Sequence, residues 1–234
     1  MHLEGGYRMV GSAKTRESVQ RRIAVRSSDE LPDAVASTAR GIILHAALKL
    51  FAERGYSGAS IRDIAAASGV QHATLYSHYP SKEHVLAELA RIGHEEHLRR
   101  LRAALLECGP DPRDQVVAFV KAHVGLHTDF PMLTVVANSE LHMLSPELGG
   151  PSFQMRKHAE NLMRDIVQRG VDRGAFKLPH VWMGLAAILG MGLRVAYWYT
   201  PEFEESAEDV ASTYAEYALR VLGAESKRGR AIRQ

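Results

Sequence analysis

The sequence predicts an all-α protein: a three-helix helix-turn-helix domain followed by a six-helix bundle. Three observations predict it. Apolar residues recur at three- and four-residue spacing from Ile42 to Leu222. No stretch alternates apolar and polar residues as a half-buried strand does. Helix-capping residues stand at the head of successive apolar runs, at Ser60, Ser81, Asp111 and Ser206.

Taken in order, residues 1–36 mix charges with Gly, Ser and Pro and hold no sustained apolar period. They are expected to form a mobile basic arm, with Lys14, Arg16, Arg21, Arg22 and Arg26 set against Glu17 alone. Such an arm is either a solvated tail or a tracker of phosphates or a minor groove. It lacks the apolar centre of a secretory signal. From Thr38 the spacing of Ile42, Ile43, Ala46, Ala47, Leu50 and Phe51 predicts a helix that Gly55 stops. Ser60-Ile61-Arg62-Asp63 is a capping box opening a short helix to Ser68. Gly69 breaks it and Val70 opens the next segment. After Pro80, Ser81 caps a helix to about Glu107; Asp111-Pro112 starts one to Asp129, and Pro131 starts another ending near Ser145-Pro146. A long helix fills Glu147 to Gly170, entered through Gly149-Gly150-Pro151. Pro179 to Tyr199 is the most apolar helix, and Ser206 with Asp209 caps the last, which ends at Gly223. Residues 224–234 read as a solvated basic tail.

The bulk composition excludes several classes. The 29 Lys and Arg against 27 Asp and Glu leave a net charge of +2, so any nucleic-acid contact must come from local charge. The single cysteine, Cys108, precludes an internal disulfide and fits a reducing cytoplasm. The apolar run from Val181 to Leu193 is shorter than the roughly 20 residues of a membrane span. It reads as a buried helix, and no membrane partner is expected. No glycine-rich phosphate loop and no G-x-S-x-G is present, and Cys108 has no evident histidine partner. No catalytic residue and no cofactor is therefore expected.

The informative segment is Ile61 to Lys82. Ile61, Ile64, Ala65, Val70 and Leu75 fall at the spacing of a helix-turn-helix, with Gly69 at the bend. Ala65 must be small where the helices cross, and Gly69 supplies a positive φ. Ile64, Val70 and Leu75 are expected to bury against Ile43, Ala47 and Phe51. With Leu75 inward, Thr74, Tyr76, Ser77, His78 and Tyr79 are left outward as donors to phosphate oxygens. Gln71, His72 and Ala73 lie at the end that approaches base edges, where Gln71 can read adenine and the Ala73 methyl can meet thymine. Ser60 and Arg62 open the first helix of the pair, and Lys82 stands at the start of the following one, placed for a phosphate contact. The alternative is an ordinary helical hairpin in a core.

On these residues the stretch from Thr38 to about Leu86 resembles the DNA-binding domain of the TetR family of transcriptional regulators. Phe51, Gly55, Tyr56, Ser60, Ile64, Ala65, Gly69, Val70, Thr74, Leu75, Tyr76, His78, Lys82 and Glu83 match the family pattern. Gln71, His72, Ala73, Ser77 and Tyr79 depart from it, mostly where bases are read. Farther on, Gly170, Arg173, Gly174 and Phe176 in "QRGVDRGAF" resemble the end of the helix before the family's dimerising pair. The resemblance implies a DNA-binding domain over residues 37–84 and a ligand-binding and dimerisation domain over 85–223. It also implies a cytoplasmic homodimer on a double-stranded, palindromic operator, expected to act as a repressor and to be released by a small hydrophobic or amphipathic effector. The alternatives are a helical enzyme and an inducer-free architectural DNA-binding protein.

Candidate effector-lining residues are Phe119, His123, His127, Leu133, Val136, Glu140, Met143, Met155, His158, Leu162, Trp182 and Met183, each equally readable as plain core. His123 and His127 share a helix face and can chelate as a pair, but no neighbouring carboxylate or cysteine completes a site, so no metal is expected. His94 and His97, in "HEEH", read as solvated imidazoles. Gly184, Ala187, Gly190, Met191 and Gly192 allow close helix approach. With Val210, Tyr214, Tyr217 and Val221 they are the expected dimer interface, the alternative being an internal core helix.

Overall fold

A computed structural model describes residues 31–36 and 38–224, all-helical with no strand among them. The basic stretch Lys14 to Arg26 and the tail from 225 lie outside the described residues. The helices are α1 (Asp33–Ala36), α2 (Ala39–Gly58), α3 (Ile61–Ser68), α4 (His72–His78), α5 (Lys82–Glu107), α6 (Pro112–Asp129), α7 (Pro131–Ser139), α8 (Pro146–Asp172), α9 (Val181–Val195) and α10 (Ala207–Val221), with a 3-10 turn at Leu141–Met143. The expected arm ends earlier than residue 36: Leu31 is 1% exposed in the core and α1 follows it.

Capping chemistry sets most boundaries as the sequence suggests. Ser60 and Asp63, and again Ser206 and Asp209, form reciprocal capping boxes. Gly55 (φ 72°, ψ 166°) interrupts α2. Several boundaries differ: α9 ends at Val195, not Tyr199. The helix from Pro131 stops at Ser139 rather than near Ser145. There Asn138 donates to the Thr134 carbonyl (2.7 Å) and the Ser139 hydroxyl to that of Val135 (2.8 Å), competing with the backbone ladder. Conversely, Gly149-Gly150-Pro151 lies inside α8, which starts at Pro146 under a Ser145 cap. Pro151 is the sixth residue of α8, past its first turn, so the helix forgoes the bond that an amide there would make to the Glu147 carbonyl.

Two apolar cores share α5. The first gathers Ile43, Ala47 and Phe51 of α2, Ile64 and Ala65 of α3, Leu75 of α4, Val85, Leu86 and Leu89 of α5, and Leu133 and Val136 of α7. The second gathers Leu98 and Leu101 of α5 with Phe119, Val124, Met163, Ile188 and Ala218 from α6, α8, α9 and α10.

Gly69 and Gly170 are among the glycines that geometry requires. Gly69 ends α3 in the left-handed region (φ 68°, ψ 11°). At Gly170 a Cβ would lie 2.0 Å from the Phe176 ring, and the Gly170 carbonyl accepts from the Ala175 (2.7 Å) and Phe176 (3.2 Å) amides. The "RGVDRGAF" pattern is therefore a chain reversal folding an aromatic back onto its own helix. Gly69→Ala is expected to lower unfolding free energy by about 1 kcal/mol through its backbone alone. Gly170→Ala is expected to lower it by about 2–3 kcal/mol through overpacking. Urea denaturation checks both.

Candidate nucleic-acid interface and effector cavity

The reading head is built on one buried anchor pair. Leu75 is fully buried beneath α4, and Tyr79, four residues on, is 2% exposed. This leaves Gln71, His72, Ala73, Thr74, Tyr76 and Ser77 exposed on one short helix, with His78 half-buried. Gln71 is the N-cap residue of α4 but its side chain makes no cap bond, so its amide is free for another partner. The His72 ring meets Tyr76 edge-on, with centroids 5.0 Å apart. Arg62 is exposed at the start of α3.

Three expectations for this face need correction. Tyr79 does not face outward: its ring belongs to the core, and its hydroxyl accepts from Arg40 Nε (3.2 Å). Leu75 plus one helical turn lands on the same face, so the spacing that buries one buries the other. Lys82 is not a free cation at a helix start. Its ammonium donates to the Tyr56 and Ala59 carbonyls, both at 2.8 Å, and lies 4.0 Å from the Tyr56 ring centroid. It clamps the end of α2 to the start of α5, and burial lowers its pKa. The hydroxyls of Ser60 and Ser77 also direct their protons internally, to Asp63 Oδ2 (2.6 Å) and the Thr74 carbonyl (2.7 Å). Arg40, half exposed and bridged to Glu88 (3.6 Å), is a cation beside this head that sequence reasoning missed.

Below the head, α5, α6, α7, α8 and α9 enclose a cavity of about 70 Å³. Its polar lining is His94, His97, His123, His127, Thr134, Asn138, Arg156 and Glu160; Leu126, Ala137, Leu189 and Leu193 are among its apolar walls. The four imidazoles form one system. His123 Nε2 donates to the Leu189 carbonyl (3.2 Å), which leaves its Nδ1 to accept from His97 Nε2 (3.0 Å). His127 Nδ1 donates to the His123 carbonyl (2.7 Å). His94 Nε2 and His127 Nε2 are buried without a partner. Burial pushes His94 and His123 down to about 4 and His127 to about 3, with His97 also well below the usual value.

Of the twelve residues expected to line an effector pocket, only His123 and His127 line this cavity. Leu133 and Val136 are in the head's core, Phe119 is wholly buried in the second core, and Met155 and Leu162 pack partly buried against it. Glu140 is buried near Gly55. Met143 is exposed, and His158 is exposed beside Arg102 at 3.5 Å. Trp182 and Met183 are 64% and 51% exposed. His94 and His97 are not solvated as expected: both line the cavity, and His94 is 4% exposed. Their signal was the α5 stripe Leu86, Leu89, Ala90, Leu101, on whose face they fall.

The expected dimer set also divides. Gly184 is buried, where a Cβ would lie 2.6 Å from Leu178 Cδ1, and Gly192 is packed against His123. Val210 is buried within the subunit. Ala187, Tyr217 and Val221 are exposed, as are Trp182 and Met183, and Gly190, Met191 and Tyr214 are half-buried.

Two outcomes follow for stability. Lys82→Met leaves two carbonyls without their donor and should cost about 1–3 kcal/mol in urea denaturation. The histidines titrate near 6.5 in the unfolded chain and lower in the folded one, so the unfolded state takes up protons first as pH falls. Their contribution is complete above about pH 6.5 and is lost as pH falls toward the folded values near 4 and 3. Stability is expected to fall between pH 6.5 and 5 by up to about 1.4 kcal/mol per unit for each histidine. His127→Phe should flatten that slope, read from urea midpoints against pH.

Known proteins share both halves. Residues 43–89 match the family described as bacterial regulatory proteins, tetR family, and residues 109–222 match the tetracyclin repressor-like C-terminal domain. The HTH-type transcriptional repressor KstR2 of Mycobacterium tuberculosis (strain ATCC 25618 / H37Rv) is 25% identical over 198 residues, spanning 81% of this chain and 94% of KstR2. The crystal structure of the TetR family transcriptional regulator PfmR from Thermus thermophilus superposes with a TM-score of 0.68 at 33% identity, covering 79% of this chain and 99% of PfmR. A bacterial regulatory protein in the tetR family from Rhodococcus RHA1 gives a TM-score of 0.74 at 28% identity, over 81% of this chain and all of that one. With both domains matched and the head and bundle in the arrangement described, the chain belongs to the TetR family of transcriptional regulators.

Proposed function

We propose that this protein is a repressor that binds a palindromic operator as a homodimer in the cytoplasm and leaves it when a small apolar or amphipathic effector enters the α5–α9 cavity. The observation that carries the reading is the shape of α4. One buried anchor pair holds a seven-residue helix whose other side chains are almost all exposed donors, acceptors or methyls. A core hairpin has no use for such a face; a major groove does.

The second half of the proposal rests on α5 and α7. α5 begins at the clamp on the head and passes the cavity through His94 and His97. α7 gives Thr134, Ala137 and Asn138 to the cavity and Leu133 and Val136 to the head's core. An effector that favours a different spacing of these two helices displaces the head, provided it binds that state better. A second copy is the expected cover for the exposed face formed by Trp182, Met183, Ala187, Tyr217 and Val221. Sensing, not turnover, is the role assigned to the cavity. Among the described residues no helix is long and apolar enough to cross a membrane.

The test is selection of bound sequences from random duplex DNA, followed by a screen for compounds that release the selected operator. Failure to enrich any palindrome would sink the reading. Within it, Tyr76→Ala should weaken binding about tenfold on all sequences. Gln71→Ala should cost about 1–3 kcal/mol at one base position while sparing others. Lys82→Met should leave the salt slope unchanged, because its ammonium is already engaged by carbonyls. Fluorescence anisotropy across a salt series reads all three.

A further inference from the structure

The cavity offers acceptors and lacks donors for them. From its hydrogen bonds we infer that the effector presents an uncharged hydrogen-bond donor, a hydroxyl or an amide N–H, to His127 Nε2. The inference rests on the sensor reading above and names the chemistry of the same site.

The argument follows the protons. A neutral imidazole has one N–H and one bare nitrogen. His127 commits its N–H at Nδ1 to the His123 carbonyl, so its Nε2 is bare. His94 Nε2, on the same cavity wall, is also buried without a partner. Both rings are at least nine-tenths buried and line the same small space. A buried acceptor without a donor costs about 1–3 kcal/mol, and a ligand that supplies the donor recovers it. The carbonyl bond holds the His127 ring in the accepting tautomer. His123 and His97 cannot rearrange to help, since they are bonded to each other and to Leu189.

The same reasoning disfavours other head groups. A carboxylate would bring lone pairs against lone pairs and would need imidazoles protonated in an interior that resists charge. The four rings, with the acidic groups around them, do not form a metal-holding set of three or more among the described residues. The cavity's side toward α8 carries Arg156 and Glu160, paired at 3.4 Å and each more than two-fifths exposed. The remainder of an amphipathic effector leaves past this pair, so the buried end is the donor and the apolar walls follow it.

The test compares three probes of matched ring size on the full chain: phenol, toluene and benzoate. Binding is followed by long-range proton–nitrogen spectra of the imidazoles and by titration to about 10 mM, suited to ligands of so few atoms. Phenol is expected to bind roughly tenfold tighter than toluene and to shift His127 Nε2, with benzoate weakest. His127→Phe keeps an aromatic ring there without the acceptor nitrogen and should reduce phenol to the level of toluene. His94→Phe is the second variant, should either fail to fold. The wild-type comparison stands without them. Toluene or benzoate matching phenol overturns the inference, as does stoichiometric Zn²⁺ moving the same nitrogen signals. Either leaves the sensor reading intact, since operator selection and compound release test that reading separately.

Discussion

The structure depends on one constraint: α5 is a wall of two cores. Its first turns close the head over Leu75 and Tyr79, and its later turns close the bundle over Phe119 and Ile188. Nothing but a long helix with a continuous inward stripe can do both, and α5 has 26 residues. The stripe is tight. At Gly93 a Cβ would lie 2.9 Å from the Ala137 Cβ of α7, so α5 and α7 approach as closely as backbones without larger side chains allow. Just past that contact the stripe turns polar, at His94 and His97, and the walls part to leave the cavity.

The fold and the head were largely legible in the sequence because both are written in local signals. Caps at Ser60, Ser81, Asp111 and Ser206, the bend at Gly69 and the spacing to Leu75 each act within a few residues. What was not legible depended on long-range pairing. Lys82 looked like a phosphate ligand because nothing local reveals that the Tyr56 and Ala59 carbonyls lie within its reach, more than twenty residues upstream. Tyr79 was misread by chemistry overriding period: its hydroxyl suggested the surface, while its distance of one turn from Leu75 placed it inside. His94 and His97 failed the same way. Imidazoles were counted as polar although they occupy inward positions of an apolar stripe, and the His123–His127 pair was legible because it was judged by spacing.

A buried imidazole cluster is an unfavourable choice in a core where leucine would pack well. Each ring must surrender water and keep its proton arrangement, and burial holds all four neutral across the physiological range. The cluster offsets part of that cost through the His97–His123 bond and bonds to the His123 and Leu189 carbonyls, which join α5, α6 and α9 in one network. Two nitrogens are nonetheless left over. Stability alone gives no reason to retain them, whereas recognition does, since acceptors fixed in advance discriminate among ligands more sharply than acceptors that can turn away.

Geometry then couples that recognition to the head. From His94 back to Lys82 is twelve residues of unbroken helix, or about 18 Å of rise. A tilt of about 5° at the cavity moves the Lys82 end by roughly 1.6 Å over that length. The clamp carries such a shift onward, because Lys82 is bonded to the end of α2, and Glu83 accepts from the Ser145 amide (2.7 Å) at the start of α8. Two heads on a duplex must fit successive major grooves about 34 Å apart at the same time. A displacement too small to unfold anything is large on the scale of a hydrogen bond, and the two heads of a dimer would lose their register together. The helix that makes the fold compact is thus also the element through which an occupied cavity can be read at the DNA.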